Sequence, residues 1–575
     1  MLSLFHSVSS FFRRHPFPGI FFSLLALFIL GSAGLECVKI DVRFFFMTGD
    51  MTANPIGPFP TIFGSPYPDY PSTLFILSWL ATACGHIMAR WTVTLPSMIC
   101  GAYSIAMTYE IGERAEKGLG KWALILSLLS FEYYNVILGF GIDLPVCTAA
   151  VTMIRLLQEE RLHPATSAAA FAILLAFCFS VRGPMGPVLL GAGTAGWLAM
   201  GRRWKTFLLF GVIGAVVLTS CICFAWWLLH LKGGDELWDL FYTWQFGNRM
   251  DGGSPTFYLL GSIPTYAPLS VPFVYTLIAG RRWLLKEPVG PWLGFVFAVE
   301  ILLTIPGCQH TRYMTLALPF MALAGAWGIL HARLPLNLPE KNMELIRRFA
   351  RLLLTLIPYA AAVGIIVCLA VSFFFISPGR IPYSHFVGGV ALIGLSLYLF
   401  RKNGTWFAKS ALASFAMACF FILGVIPTIS IREDSRPFVE AIEKASGSDR
   451  VFFFNVDADH DGIKYLAEVG TERRLQCFFI CDEDQYTDQI YAYRTVEEGF
   501  DMLRDELVII KKKKLNLETL TRNAEAAGRK VVPQFEGKLG HRLYLAVRLP
   551  HADPAPENAG PADDTPPQVR TPEWQ

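Results

Sequence analysis

Apolar segments long enough to cross a bilayer recur through the first 430 residues, and they restrict the possible folds more than any other feature. By the roughly 20-residue requirement of a hydrocarbon core, such runs lie near Pro18–Leu35, Thr92–Ile111, Trp122–Phe140, Val146–Leu157, Ala165–Ser180, Pro187–Met200 and Thr206–Leu229. Others lie near Thr256–Ala279, Trp292–Ile305, Tyr313–Leu330, Leu352–Ile376, Phe386–Phe400 and Ala411–Pro427, about thirteen in all. Backbone polar groups in lipid must be satisfied within the segment, so these runs read as helices. The 575-residue chain is 53% hydrophobic and only 17% charged, too charge-poor for a soluble domain of that length. The expected fold class is a polytopic α-helical membrane protein with about thirteen transmembrane helices. Thr73–His86 is apolar but short and reads as an interfacial helix in the first outer loop.

Topology follows from the basic residues. Arg13-Arg14, Arg114/Lys117/Lys121, Arg155/Arg161, Arg202-Arg203/Lys205, Arg281-Arg282/Lys286, Arg333/Lys341/Arg347-Arg348 and Arg401-Lys402 fall on alternate loops. The positive-inside rule makes these cytoplasmic, with the N-terminus inside and the first run a retained signal anchor. The outer loops are then 36–72, 141–145, 181–186, 232–255 and 307–312, and an odd number of spans puts the C-terminal region on that side. The expected location is a bacterial inner (plasma) membrane, multi-pass, with the C-terminal domain periplasmic or extracellular. The net charge of +3 does not point to nucleic acid.

Composition changes near Ser430. Arg436–Ile442 starts an amphipathic helix; Val451–Val456, Gln476–Ile480, Glu506–Ile510 and His541–Val547 read as strands, Asp461–Val469 and Thr495–Arg504 as helices. Strands alternating with helices imply a small soluble α/β domain. The organisation is therefore a membrane domain over 1–429 with its first outer loop at 35–91, an outer α/β domain over 430–550, and a tail over 551–575 whose Pro, Ala, Asp and Glu lack periodicity and read as disordered. The Lys511–Lys514 run reads as a solvated turn, with contact to anionic headgroups the alternative. Cys477 and Cys481, roughly 13 Å apart on an extended strand, are too distant for a disulfide without a turn. No metal-type Cys/His cluster is present.

Charges at membrane depth are functional candidates because burying them is costly. Asp143 lies in Phe140-Gly141-Ile142-Asp143-Leu144-Pro145, a break where it can cap the next helix, face a cavity, or both. Arg182 in Ser180-Val181-Arg182-Gly183-Pro184 is either an interfacial anchor or a site residue. Arg249 closes Trp244-Gln245-Phe246-Gly247-Asn248-Arg249, and Gln309-His310 precedes Arg312-Tyr313. Arg182, Arg249, Arg312 and His310 on one outer face, opposite carboxylates, would form a phosphate clamp. Glu300, inside a span, either pairs with one of these arginines or stabilises the bundle. The first loop adds Glu36, Asp41, Arg43 and Asp50 beside Phe44–Phe46. That arrangement suits a charged lipid headgroup, or is an amphipathic surface loop.

These pieces, in this order, resemble the glycosyltransferase C superfamily, in the branch of the dolichyl-phosphate-mannose protein mannosyltransferases and the bacterial lipid A aminoarabinose transferase. The resemblance covers most of 18–430. It rests on Glu36, Arg43 and Gly49-Asp50 in the first loop, Tyr67-Pro68-Asp69-Tyr70-Pro71-Ser72, Leu95-Pro96-Ser97 with Gly101, and Asp143 before an apolar run. It continues with Arg182-Gly183-Pro184, the outer-loop Arg249 and the Arg312-Tyr313 opening of a late span.

The resemblance implies transfer of a sugar from a polyprenyl-phosphate donor to a lipid, glycan or protein acceptor on the outer face. Glu36 is implied as the base, Asp41 as the runner-up, and Asp143 as orienting the acceptor or assisting. Arg43, Arg182, Arg249, His310, Arg312 and Tyr313 are implied to bind the donor phosphate. The metal requirement is open, a divalent metal ion being one possibility. Leu35-Glu36 stands where the family often has Asp-Glu, and two further departures put the aminoarabinose donor and metal binding in doubt. Pro68-Asp69-Tyr70-Pro71 stands where that branch has Glu-Lys-Pro-Pro, and Phe246-Gly247 where it has a histidine. The competing class is a lipid flippase or transporter, but no two-half repeat is visible and the charges gather on one face, not at the midplane.

Overall fold

The computed structural model describes residues 15–36, 40–54, 56–62, 65–159, 161–247, 254, 256–281, 284–286, 288–305, 309–331, 340–400, 405–456, 467, 475–481, 494–540 and 542–551, and the side chains of all of these but 40–42, 259–260, 262–263, 340–341, 343 and 346. The side chain of Asp41, Arg249, the expected helix over 461–469 (Ala467 apart) and the tail beyond His551 lie outside the described residues. The chain divides into two compact units. One is Met1–Gly34, Gly57–Phe59 and Pro68–Thr428, and the other is Leu35–Ile56, Pro60–Tyr67 and Ile429–Gln575.

The first unit is helical. Among the described residues five helices are long and apolar enough to cross a membrane, Pro164–Arg182, Trp204–Gln245, Arg347–Ser372, Tyr383–Phe400 and one opening at Trp406. Shorter apolar helices accompany them at Pro16–Ser32, Leu144–Leu157, Met185–Met200, Ser270–Ala279, Val289–Leu303 and Leu318–His331. Leu95–Ala115 and Thr73–Ala81 are also helices. Two of the expected continuous runs are broken. Trp122–Phe140 is two helices, Leu119–Ser127 and Phe131–Leu138, the second started by Ser130, whose hydroxyl accepts from the Tyr133 amide at 3.3 Å. Thr256–Ala279 is a π turn, a four-residue helix and then Ser270–Ala279, because Pro264 and Pro268 withhold amide donors.

Small residues set one close helix contact. A Cβ on Gly196 would stand 2.1 Å from the Gly294 carbonyl oxygen, so only glycines let Met185–Met200 and Val289–Leu303 approach this far. Hydroxyls join Leu95–Ala115 to Leu144–Leu157, with Ser104 Oγ 3.2 Å from Thr148 Oγ1 and Tyr103 Oη 3.1 Å from Thr152 Oγ1. Trp204–Gln245 bends at Gly233 and Gly234, the only two residues inside it with non-helical dihedrals.

The second unit holds a two-stranded ribbon, β1 (Thr61–Ile62) and β2 (Ser65–Pro66), and a five-stranded sheet. The sheet strands are β3 (Arg450–Phe454), β4 (Gln476–Ile480), β5 (Leu507–Lys511), β6 (Val532–Leu539) and β7 (Arg542–Arg548), in the order β4-β3-β5-β7-β6. β3 runs parallel to β4 and β5, and β7 antiparallel to β5 and β6. Alternation sends Val451 and Phe453 to one face with Phe438 and Ile442, and Phe452 and Phe454 to the other with Phe500 and Leu520. Both faces are covered, which explains the uninterrupted apolar run of β3. Helix Val496–Met502 opens with a capping box between Thr495 and Glu498. Lys511 ends β5 and Lys514 opens helix Lys514–Ala526, so the lysine run is indeed a turn; that helix and β6 were not legible from the sequence.

The first-loop residues of this unit are tightly held. Helix Ile40–Asp50 buries Phe44, Phe45 and Phe46. Asp50 accepts from Asn54 at 2.9 Å and from the Thr61 hydroxyl.

Candidate functional site

Two interrupted helices bring the polar centre of the first unit together. Leu95-Pro96-Ser97 supplies a hydroxyl: Ser97 Oγ accepts from the Gly141 amide at 3.0 Å and so fixes the turn that leads to Asp143. Asp143 occupies the N-cap position of Leu144–Leu157, with Pro145 in the first turn, but makes no side-chain cap. Its Oδ1 instead accepts from Arg182 Nε at 2.8 Å. Arg182 is the last residue of Pro164–Arg182, which Gly183 ends at φ 66°, ψ −157°. That backbone region is open essentially to glycine alone. The pair is almost fully enclosed, with side chains 2% and 6% exposed.

Aromatic rings face the arginines. The Arg182 guanidinium carbon lies 5.1 Å from the Tyr70 ring centre and 5.2 Å from that of Tyr313. Arg312 lies 5.6 Å from the same Tyr313 ring, and its Nη2 donates to Tyr70 Oη at 3.3 Å. Arg312 is placed by the turn Thr311–Leu316, which the hydroxyls of Tyr266 and Tyr258 hold through the backbone at Thr311 and His310. His310 is itself exposed, its ring edge-on to Tyr313 at 5.5 Å. Tyr70 belongs to the segment that Gln245 grips, donating from Nε2 to the carbonyls of Pro68 and Asp69 at 2.9 and 2.8 Å. Burial, and after it Asp69, push the Tyr70 phenol up to about 12 despite the opposing arginines, so it stays neutral.

Among the described residues, Arg182 Nη1 and Arg312 Nε are buried with no hydrogen-bond partner. A guanidinium can only donate, so these two donors, one from each arginine beside the same ring, are suited to an anion such as a phosphate. An apolar groove of 780 Å³ runs along this unit, lined by Phe59, Pro71, Ile76, Phe179, Phe224 and Phe241 among others. It includes Ser180, two residues from Arg182. Among the described residues no group of three or more His, Cys, Asp or Glu side chains is placed to hold a metal ion.

Sequence reasoning named Asp143, Arg182, His310, Arg312 and Tyr313, and these five stand together. It passed over Tyr70 and Gln245. Tyr70 lies within Tyr67–Ser72 and Gln245 within Trp244–Arg249, where a polar amide ending a long apolar helix is the available signal. Glu36 and Arg43 belong to the second unit. Arg43 donates to Tyr67 Oη at 2.8 Å, and Glu36 accepts from Arg436 at 3.1 Å. Glu300 makes no ion pair among the described residues and is buried, in keeping with a role in the bundle.

Neither a protein-family model nor a curated protein sequence matches the chain. Solved structures do. ArnT from Cupriavidus metallidurans in the apo state aligns with a TM-score of 0.66 at 13% identity, covering 93% of this chain and 98% of that one. The same protein bound to undecaprenyl phosphate aligns with a TM-score of 0.66 at 12% identity, over 92% and 97%. The chain has the fold of ArnT. The archaeal oligosaccharyltransferase AglB from Archaeoglobus fulgidus aligns more loosely, with a TM-score of 0.39 at 11% identity over 84% of this chain and 62% of that one. The alignment with ArnT extends over 93% of this chain, which has several apolar helices and a small C-terminal sheet.

Proposed function

We propose that the chain is an integral membrane glycosyltransferase that moves a sugar from a polyprenyl-phosphate donor to a lipid, glycan or protein acceptor on the outer, periplasmic face. The observation that carries this reading is the buried Arg182, paired with Asp143 and with Nη1 unpartnered, in the same unit as an apolar groove lined in part by Pro71, the neighbour of Tyr70. An isoprenoid tail suits the groove, and its phosphate suits Arg182 and Arg312. ArnT, which shares the fold, is found with undecaprenyl phosphate bound. His310 and Tyr313 line the same centre, and Arg43 and Arg249 are kept as further phosphate contacts on the strength of the resemblance.

In the reaction, a first-loop carboxylate, Glu36 or failing it Asp41, takes the proton of the acceptor hydroxyl. The acceptor oxygen bonds to the anomeric carbon as the bond from that carbon to the phosphate oxygen breaks. Polyprenyl phosphate leaves with the electron pair. Negative charge grows on the departing phosphate, and arginine N–H groups already fixed in a dry site stabilise it more in the transition state than in the donor. Asp143 keeps Arg182 oriented for that role and is also the candidate for orienting the acceptor.

The test is turnover of a panel of radiolabelled polyprenyl-phosphate sugars by the purified protein, beside Glu36→Gln and Arg312→Gln. Sugar release or transfer lost in both variants, with folding intact, supports the reading. Binding of polyprenyl phosphate without turnover of any donor would redirect it to a lipid flippase.

A further inference from the structure

We propose that Arg436 is a positioning residue for Glu36, so that the C-terminal residues of the second unit complete the catalytic first loop. This rests on the reading of Glu36 as the base. The two residues are 400 positions apart in sequence, and both belong to the second unit. Arg436 Nη1 donates to Glu36 Oε1 at 3.1 Å. The opposite edge of the same guanidinium is committed to Asp434, with Nε 3.0 Å from Oδ1 and Nη2 2.8 Å from Oδ2. Asp434 is the buried member, 2% exposed, and it also accepts from the Arg436 amide at 3.0 Å, at the start of helix Arg436–Ala445.

The segment is seated from two more directions. Ser430 Oγ donates to the Glu36 carbonyl at 3.0 Å, and the Gly540 amide in the β6–β7 turn donates to Ser435 Oγ at 2.7 Å. Glu36 is thus held by side chain and backbone at once, and the cation that holds it is itself fixed. A planar fork of donors serves two carboxylates on its opposite edges with fixed geometry, whereas a lysine ammonium is a point donor on a flexible stem and orients both less strictly. A cation beside the carboxylate also favours its ionised, proton-accepting form.

The experiment compares wild type, Arg436→Met and Arg436→Lys in full-length protein, reading kcat, KM and the acid limb of the pH–rate profile. The expected result for Arg436→Met is a kcat lower by on the order of 10–100-fold, as for a displaced catalytic group, with KM little changed. Its acid limb should move to higher pH, because the carboxylate loses the cation that kept it ionised. Arg436→Lys should restore the position of the limb more than it restores kcat. A lowered kcat with an unmoved limb would reduce Arg436 to a structural residue and overturn the proposal, as would an unchanged kcat. A second readout needs no substrate: melting of Glu36→Gln, Arg436→Met and the double variant. Shifts that fail to add support the pair, and additive shifts overturn it. Should wild type turn over no donor, the functional reading fails by itself, and the melting cycle still decides the pairing.

Discussion

Asp143 illustrates how one residue can satisfy two sequence readings and choose between them only in the fold. It holds the N-cap position, yet spends its carboxylate on Arg182. A buried pair of this kind adds little net stability, but removing one partner strands the other. Asp143→Ala is therefore expected to destabilise the protein by roughly 3–5 kcal/mol, and adding Arg182→Met should recover much of that loss. Denaturant unfolding of the three variants in detergent would check it, and additive losses would dismiss the pair as a unit. Tyr70 gives the pH-dependent counterpart. Its folded pKa lies above that of the unfolded chain, so its contribution is complete below about pH 10 and is lost as pH rises towards 12. A phenol raised from 10.0 to about 12 contributes on the order of 2–3 kcal/mol. Tyr70→Phe should flatten that part of the alkaline melting curve, and an unaltered slope would show that another tyrosine is responsible.

At the scale of elements, the site depends on where helices stop. Gly183 ends Pro164–Arg182 in a conformation that residues with a Cβ rarely adopt, and a Cβ there would lie 3.0 Å from Gln245 Oε1. Gly183→Ala should cost about 1–3 kcal/mol and weaken binding of polyprenyl phosphate, because both Arg182 and the Gln245 grip on Pro68-Asp69 would shift. Gly191→Ala is the control. It lies inside Met185–Met200 with open space around it and should be tolerated. Melting temperature and lipid-phosphate binding measured on both would separate a local from a general effect. Equal losses in the two would argue against the special role of the turn.

For the molecule as a whole, the groove and the arginines make a joint prediction. Ala176 lines the groove away from the charged centre. Ala176→Trp should fill it and raise KM for a long-chain donor at least several-fold, while a donor truncated to one or two isoprene groups should react as with wild type. Kinetics with the two donors would decide, and equal effects on both would place the tail elsewhere. The second unit carries a complementary lesson. Its sheet is small, but its compact unit also includes 35–56 and 60–67, so the C-terminal residues and the first loop form one structural body.

The sequence alone determined the membrane class and the small α/β domain, and it singled out Asp143, Arg182 and Arg312, which the fold brings near one another. Hydrophobic run length and the expense of burying charge are local signals, written residue by residue. It also marked Leu95-Pro96-Ser97 by resemblance and Gly141–Asp143 as a helix break, without linking the two. Only the tertiary structure showed that the serine of one motif anchors the turn of the other. It alone joined Asp143 to Arg182 across 39 positions and Glu36 to Arg436 across 400. It also broke Trp122–Phe140 and Thr256–Ala279 into shorter pieces and sank Phe44–Phe46 into the core. Such outcomes depend on which faces meet after packing, and hydrophobic periodicity along the chain carries no record of the partner.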